Sequence, residues 1–195
     1  DNDIRFATDG SNILTTGTNH NLIIPTDTTF TPGAAIISGG DIQVAGTLSS
    51  SSNITVNGGD MTGNGTVTLT GGTLLVDGAG NFGGNTAWTV NNITFGDGAG
   101  TTTTTTTGSG AVTASGIFTV AANQTLLAGS KTWYIDASGS STVINGTATP
   151  ETSTFIFRGI SNTVVASGTN GMSFYDLQIV PASGTPTYTF TYGMS

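Results

Sequence analysis

The chain has 195 residues, a formal net charge of −8 and only 7% charged side chains, against roughly 25% in an average soluble protein. Three Lys or Arg cannot neutralise a nucleic-acid backbone or hold an anionic membrane surface, and the absence of Cys removes disulfides and thiolate metal centres. Thr, Gly, Ser and Asn make up just over half the residues, so the surface must be built largely from small uncharged groups.

Near the start, Asp3-Ile4-Arg5-Phe6 reads as a short strand with Ile4 and Phe6 on one face. The cluster Asp9-Gly10-Ser11-Asn12 is a turn, and so is Thr18-Asn19-His20-Asn21, which holds the only His. From there apolar residues alternate with polar ones in Ile42-Gln43-Val44, Ile54-Thr55-Val56, Thr66-Val67-Thr68-Leu69-Thr70 and Trp88-Thr89-Val90. The same pattern runs through Ile93-Thr94-Phe95, Phe155-Ile156-Phe157 and Thr187-Tyr188-Thr189-Phe190-Thr191-Tyr192. Period two is the strand signal, because successive side chains point to opposite faces. Thr, being β-branched, suits the outer face of such strands.

Gly, Asn, Asp and Ser clusters separate the segments, as in Ser38-Gly39-Gly40-Asp41, Asn57-Gly58-Gly59-Asp60 and Asp77-Gly78. These residues tolerate the backbone angles that turns require. No apolar i, i+3, i+4, i+7 pattern of useful length occurs, so no helix is predicted. The longest apolar stretches, Leu22-Ile23-Ile24 and Ala34-Ala35-Ile36-Ile37, fall far short of a membrane span.

Ile54, Leu74 and Ile93 follow one another at nearly even intervals, and Ile117 comes after a somewhat longer one. The interval is that of a β-solenoid coil, whose repeat is on the order of 20 residues. A β-sandwich is the alternative that the turn spacing leaves open. Composition favours the solenoid, whose coils satisfy backbone groups between neighbours and need few charges. The expectation is one elongated all-β domain over 1–195, with a candidate junction near 97–110. Val67, Leu69, Leu74, Val76, Val90, Ile93, Phe95, Ile117 and Val120 are expected in one continuous core. The run Thr101 to Thr107 has no apolar face and is expected as a solvated edge strand or linker.

Gly46-Thr47-Leu48, Asn53-Ile54-Thr55-Val56-Asn57-Gly58-Gly59 and Phe118-Thr119-Val120-Ala121-Ala122-Asn123-Gln124-Thr125-Leu126 resemble Thr/Gly/Asn repeats of bacterial cell-surface β-helix proteins. Those families are adhesin-like and autotransporter-passenger-like. The resemblance covers about half the chain, is compositional, and carries no invariant motif. The coil spacing here is less regular than a long uniform helix requires. The resemblance implies a structural or adhesive role.

Chemistry-bearing residues are sparse. His20 sits in a polar turn, away from any Ser-His-Asp pattern, and Glu151 follows Pro150 in a turn. Half of the Asp residues neighbour Gly, the turn signature, and no enzyme activity is expected. Calcium is the one cofactor the composition admits, since Asp-Gly turns supply oxygen ligands. Asp77-Gly78, Gly96-Asp97-Gly98 and the pair Asp1 and Asp3 are only fragments of a calcium repeat. Sequons at Asn53, Asn64, Asn92, Asn123 and Asn145 mark candidate glycosylation sites. Their number is what chance gives in so Asn-, Ser- and Thr-rich a chain.

Zero Cys and few trypsin-like cleavage points (Arg5, Lys131 and Arg158) point to an extracellular or cell-surface location. The chain opens on Asp1 rather than Met, which reads as a processed or excised form. The functional expectation is a structural subunit of an extracellular filament, fibre or surface layer, polymerising with copies of itself. Candidate assembly residues are Ile4 and Phe6 near one end and Tyr188, Phe190 and Tyr192 near the other, on strands suited to edge pairing. The alternative is a displayed binding module for ice or surface glycans. An ice-binding face needs aligned Thr-x-Thr rungs. Thr66, Thr68 and Thr70 supply one and Thr187, Thr189 and Thr191 another, without constant spacing between them.

Overall fold

The computed structural model describes residues 14–160, 163–167 and 172–191. The chain winds as a β-solenoid in which each coil gives one short strand to each of three parallel sheets. Coil 1 carries Leu14–Thr15, Leu22–Ile24 and Thr29–Phe30, and coil 2 carries Ile36–Ser38, Ile42–Val44 and Thr47–Ser50. Coil 3 has Ile54–Val56, Met61–Thr62 and Thr66–Leu69, and coil 4 has Thr73–Val76, Gly80–Gly83 and Trp88–Val90. Coil 5 has Asn92–Phe95, Thr102–Thr106 and Val112–Ala114, and coil 6 has Phe118–Val120, Gln124–Leu127 and Thr132–Ile135. Gly139–Ile144, Thr147–Thr149 and Thr154–Phe157 form coil 7; Thr163–Ser167 and Asp176–Ile179 belong to coil 8, and Tyr188–Thr191 opens the next.

Among the described residues, the first strands of the coils form sheet 1, with nine strands; the second form sheet 2, with seven; the third form sheet 3, with eight. The paired strands run parallel, as in Leu74 on Ile93 and Trp88 on Val112. A sandwich of hairpins is therefore excluded.

Alternation decides which side chains enter. In Thr66–Leu69, Val67 and Leu69 are buried while Thr66 is exposed. Val67, Leu69, Leu74, Val76, Val90, Ile93, Phe95 and Val120 join one core running the length of the solenoid. Ile117 does not: it is 43% exposed. It lies an odd number of positions from Val120, and at period two such residues face opposite ways. Phe118 takes the inward place, opposite Ile93.

The coils also change size. Ile36, Ile54, Leu74 and Ile93 stack on one another at short, nearly even intervals along the chain. The next two steps in the same column, from Ile93 to Phe118 and from Phe118 to Thr142, are clearly longer. A longer perimeter encloses a wider interior. Coils 2 and 3 are filled by aliphatics such as Ile42, Val44, Leu48 and Ile54; aromatic rings enter with Phe82 and Trp88 in coil 4 and continue through Phe95, Phe118, Trp133 and Phe155 in the longer coils. Trp133 stacks on Phe155 at 5.9 Å between centroids and meets Phe118 edge-on at 5.4 Å, the two favoured aromatic geometries. Its indole Nε1–H donates to Ala128 O at 3.2 Å.

The Thr run corrects the sequence reading. Thr102–Thr106 is an internal strand of sheet 2, between Gly80–Gly83 and Gln124–Leu127, with Thr104 and Thr106 buried. Thr is small and β-branched, so it can line an inner face; the Thr104 hydroxyl is paired there, while that of Thr106 is not. Gln124 Nε2 donates to Thr104 Oγ1 at 3.0 Å, and Thr102 Oγ1 donates to Gln124 Oε1. Sheet 2 thus passes through the 97–110 region with partners on both sides.

Trp133→Ala should cost roughly 3–5 kcal/mol, because it empties the centre of the aromatic stack. Ile117→Thr should stay within about 0.5 kcal/mol, as an exposed change. Urea unfolding midpoints of the two variants check both values.

Candidate functional site

Among the described residues the acidic side chains are unevenly placed. Asp41, Asp60, Asp77 and Asp97 all lie on the corner between sheets 1 and 2. Here they serve the coil stack. Asp41 N–H donates to Asn21 Oδ1 at 2.9 Å, Asp60 N–H to Asp41 Oδ1 at 3.3 Å, and Asn81 N–H to Asp60 Oδ1 at 2.6 Å. Each side-chain oxygen caps a backbone donor one coil further on. Asp77 does the same for Asp97 N–H at 3.3 Å. These Asp-Gly turns are rungs of a ladder. Among the described residues no three His, Cys, Asp or Glu side chains gather where they could hold a metal. Asp1 and Asp3 lie outside the described residues.

Sequon residues take part in the same construction. Asn53 Oδ1 accepts from Thr73 N–H at 2.8 Å, Asn64 Oδ1 from Asn85 N–H at 2.9 Å, and Asn92 Oδ1 from Ile117 N–H at 2.7 Å. Asn123 adopts φ +63 in its turn, and its Nδ2 donates to Gly98 O at 3.1 Å. Asn145 is exposed, and its backbone N–H donates to Val120 O at 2.9 Å. Sequence reasoning saw candidate sugar acceptors; it missed that the side chains of Asn53, Asn64, Asn92 and Asn123 brace neighbouring coils.

The remaining candidates fall at separate places. His20 is exposed, with Nδ1 3.0 Å from Thr18 O. Glu151 sits in a turn at φ +51, and its carboxylate accepts from Gly129 N–H at 2.8 Å. Arg158 makes a bidentate pair with Asp136 at 2.7 and 2.8 Å, with its guanidinium 3.9 Å from the Tyr134 ring centroid. Lys131 is 1% exposed. No Ser, His and Asp converge among them.

Of the terminal assembly residues, Ile4, Phe6 and Tyr192 lie outside the described residues. Tyr188 and Phe190 are on a strand paired with Thr163–Ala166 of the same chain. Both are half-buried against the core, and Tyr188 OH donates to Gly159 O at 2.7 Å. Phe190 meets Phe157 edge-on at 5.8 Å.

Across the coil from the acidic corner is sheet 3, whose outer face carries ranks of small hydroxyl side chains. Thr29 pairs with Thr47 and Thr47 with Thr66, forming one rank. Ser49 pairs with Thr68, Thr68 with Thr89, and Thr89 with Thr113, forming a second. Adjacent strands lie about 4.8 Å apart, and residues i and i+2 about 6.6 Å apart. The result is a grid of hydroxyls and methyls. Residues 45–53, 63–73, 84–92 and 108–118, which hold this face and its corners in coils 2 to 5, contain no charged side chain. Sequence spacing hid the grid, because Ser49, Thr89 and Thr113 complete the second rank without a Thr-x-Thr motif. Thr187, Thr189 and Thr191 do not extend it, because Tyr188–Thr191 is a strand of sheet 1 and so of another face.

No helix of the described residues is long and apolar enough to cross a membrane. Compared with known families, curated proteins and solved structures, the chain matches none.

Asn53→Ala removes an acceptor for a neighbouring backbone N–H and should cost about 1 kcal/mol. Asn145→Ala removes no such rung and should stay within about 0.5 kcal/mol. Thermal melting of the two single variants compares them directly.

Proposed function

We propose that this chain is a structural module of an extracellular filament, surface layer or adhesin shaft. One observation carries the reading: a single apolar core, enclosed by three parallel sheets, runs the length of the solenoid. The chemistry-bearing side chains serve mainly as braces between coils. An exterior location is consistent with the shielding of the described cations. Lys131 is buried, and Arg158 is pinned by Asp136 and Tyr134. Assembly with other copies would extend the sheets strand on strand. Asp176–Ile179 is the last strand of sheet 3, and Tyr188–Thr191 the last of sheet 1, among the described residues.

Electron microscopy and sedimentation of the purified chain test the reading. The expected result is fibres with an axial strand repeat of about 4.8 Å. A chain that remains monomeric at every concentration would count against self-assembly. Native trypsin digestion gives a second check. The backbone after Lys131 and Arg158 should stay intact for hours, and rapid cleavage there would argue against a protease-exposed location.

The hydroxyl grid on sheet 3 favours a second reading, a module that binds an ordered water surface. The face has no charge over coils 2 to 5, and its outward side chains are Thr, Ser and Ala beside the Asn-bearing corners. Exposed aromatic rings, which stack on sugars, are missing from that stretch. Slow freezing with partition of the protein between ice and liquid tests it. Uptake into ice that Thr68→Lys abolishes would support this reading, and exclusion of the wild-type chain from ice would remove it.

A further inference from the structure

The corner between sheets 2 and 3 contains the only lysine of the chain, and it points inward. Lys131 Nζ donates to Gly84 O of coil 4 and to Gly110 O of coil 5, each at 3.0 Å. Gly110 N–H donates in turn to the same Gly84 oxygen at 2.9 Å. On the far side, Thr154 N–H of coil 7 donates to Lys131 O at 3.0 Å. One residue of coil 6 therefore links coils 4, 5 and 7 through hydrogen bonds to their backbones.

The sequence around the lysine makes room for it. A Cβ on Gly83 would lie 2.8 Å from Lys131 Cε and 2.9 Å from Nζ, and Gly83 has φ +107. Any larger residue there would displace the amine. The position matters as well. The step from Leu74 to its partner Ile93 is short, and the step from Ile93 to Phe118 is long. The added residues of coil 5 lie at the corner between sheets 1 and 2, whereas the corner that Lys131 spans is equally long in coils 4 and 5, so the brace ties a short coil to a long one where their registers still agree. Beside it, the buried Thr106 hydroxyl has no hydrogen-bond partner.

No carboxylate neutralises the amine. The elements packed on it are residues 83–87, 107–111 and 150–153, and their single ionisable group is Glu151. Glu151 is exposed and bonded to Gly129 N–H. Burial without a counter-charge disfavours the ammonium form.

We infer that Lys131 is an internal brace that fixes the register of coils 4, 5 and 6, tying a short coil to the longer ones that follow, and that this corner responds to mild alkali. The neutral amine still has two N–H donors, so both carbonyl bonds survive loss of the proton. What disappears is the cost of holding a charge in the core. Burial lowers the Lys131 pKa from 10.5 to about 8. Between those values the unfolded chain holds a proton that the folded chain has shed. Unfolding then takes up a proton, so stability rises with pH across that window. Tyr188, whose pKa burial raises above its ordinary 10, works in the opposite sense at the upper end. It is common to the wild type and any Lys131 variant.

The test is urea unfolding of the wild-type chain and Lys131→Met at pH 7, 8, 9 and 10, with amide exchange at pH 7. In the wild type the unfolding constant should fall by up to about tenfold per unit above pH 8. The Met variant should lose that slope. Its amides at 83–88 and 107–112 should exchange at least tenfold faster, with those of Thr47–Ser50 unchanged. Equal pH slopes in the two proteins would overturn the inference. Because Lys131 is the only lysine, its side-chain NMR titration in the wild type gives an answer even if the variant fails to fold. A midpoint near 8 supports the brace, and one at or above 10 overturns it.

Discussion

Everything in this molecule depends on parallel stacking in register. In a solenoid, the backbone N–H and C=O groups of one coil are satisfied by the coils above and below. Each coil must therefore place equivalent residues directly over one another, as Leu48, Val67, Trp88, Val112, Trp133 and Phe155 do along sheet 3. With strands about 4.8 Å apart, like charges stacked in such a column would repel at close range. Small neutral residues escape that penalty. The low charge content and the Thr-rich outer faces follow from this geometry.

The same constraint explains the corners and the interior. A corner must turn the chain while its backbone touches the next coil, and at Gly84 a Cβ would come within 1.8 Å of Gly63 O. Only glycine can stand there. Side-chain oxygens of Asn and Asp take over where the ladder would leave backbone donors unpaired. Inside, coil length sets the volume to be filled. The aromatic stack begins with Phe82 and Trp88 just before the change to longer coils at Ile93, and the inward polar residues Thr104, Gln124 and Lys131 lie beyond it. Gln124 and Lys131 find side-chain and backbone partners there.

How much of this could be read in advance differs from element to element. The strands and the solenoid were legible, because alternation and a coil-length repeat of apolar residues can both be seen along the chain. Ile117 was misplaced because a spacing count from Ile93 stopped just short of the true partner, Phe118, and a slip of one position inverts the face. The Thr run was misread because Thr gives no apolar alternation; its burial depends on Gln124, which belongs to the next coil. The Thr grid of sheet 3 was invisible for a related reason. Its ranks are formed by residues a full coil apart at unequal intervals, so register must be known before they line up. Lys131 carried no local sign at all. Nothing near it in sequence marks it as buried, and its acceptors come from two earlier coils.

The two functional readings share this physical origin, and they separate on one point. Stacking forces the molecule to carry repeating, uncharged ranks whether or not any ligand uses them. A rank of Thr is therefore weak grounds for binding, since a purely structural solenoid would also favour it. What stacking does not require is that the carboxylates be confined to the corner between sheets 1 and 2 over coils 2 to 5. Turns at all three corners could hold Asp equally well, and Asp27, Asp136 and Glu151 stand at the other corners in coils 1, 6 and 7. Over the central coils, sheet 3 and its flanks are free of charge, although solubility alone would favour charge there. A shaft that meets only water has no use for such an asymmetry, whereas a face that lies against another surface does. The two proposed readings, shaft and contact face, are then compatible: the core would supply rigidity, and sheet 3 would be the side offered to another surface.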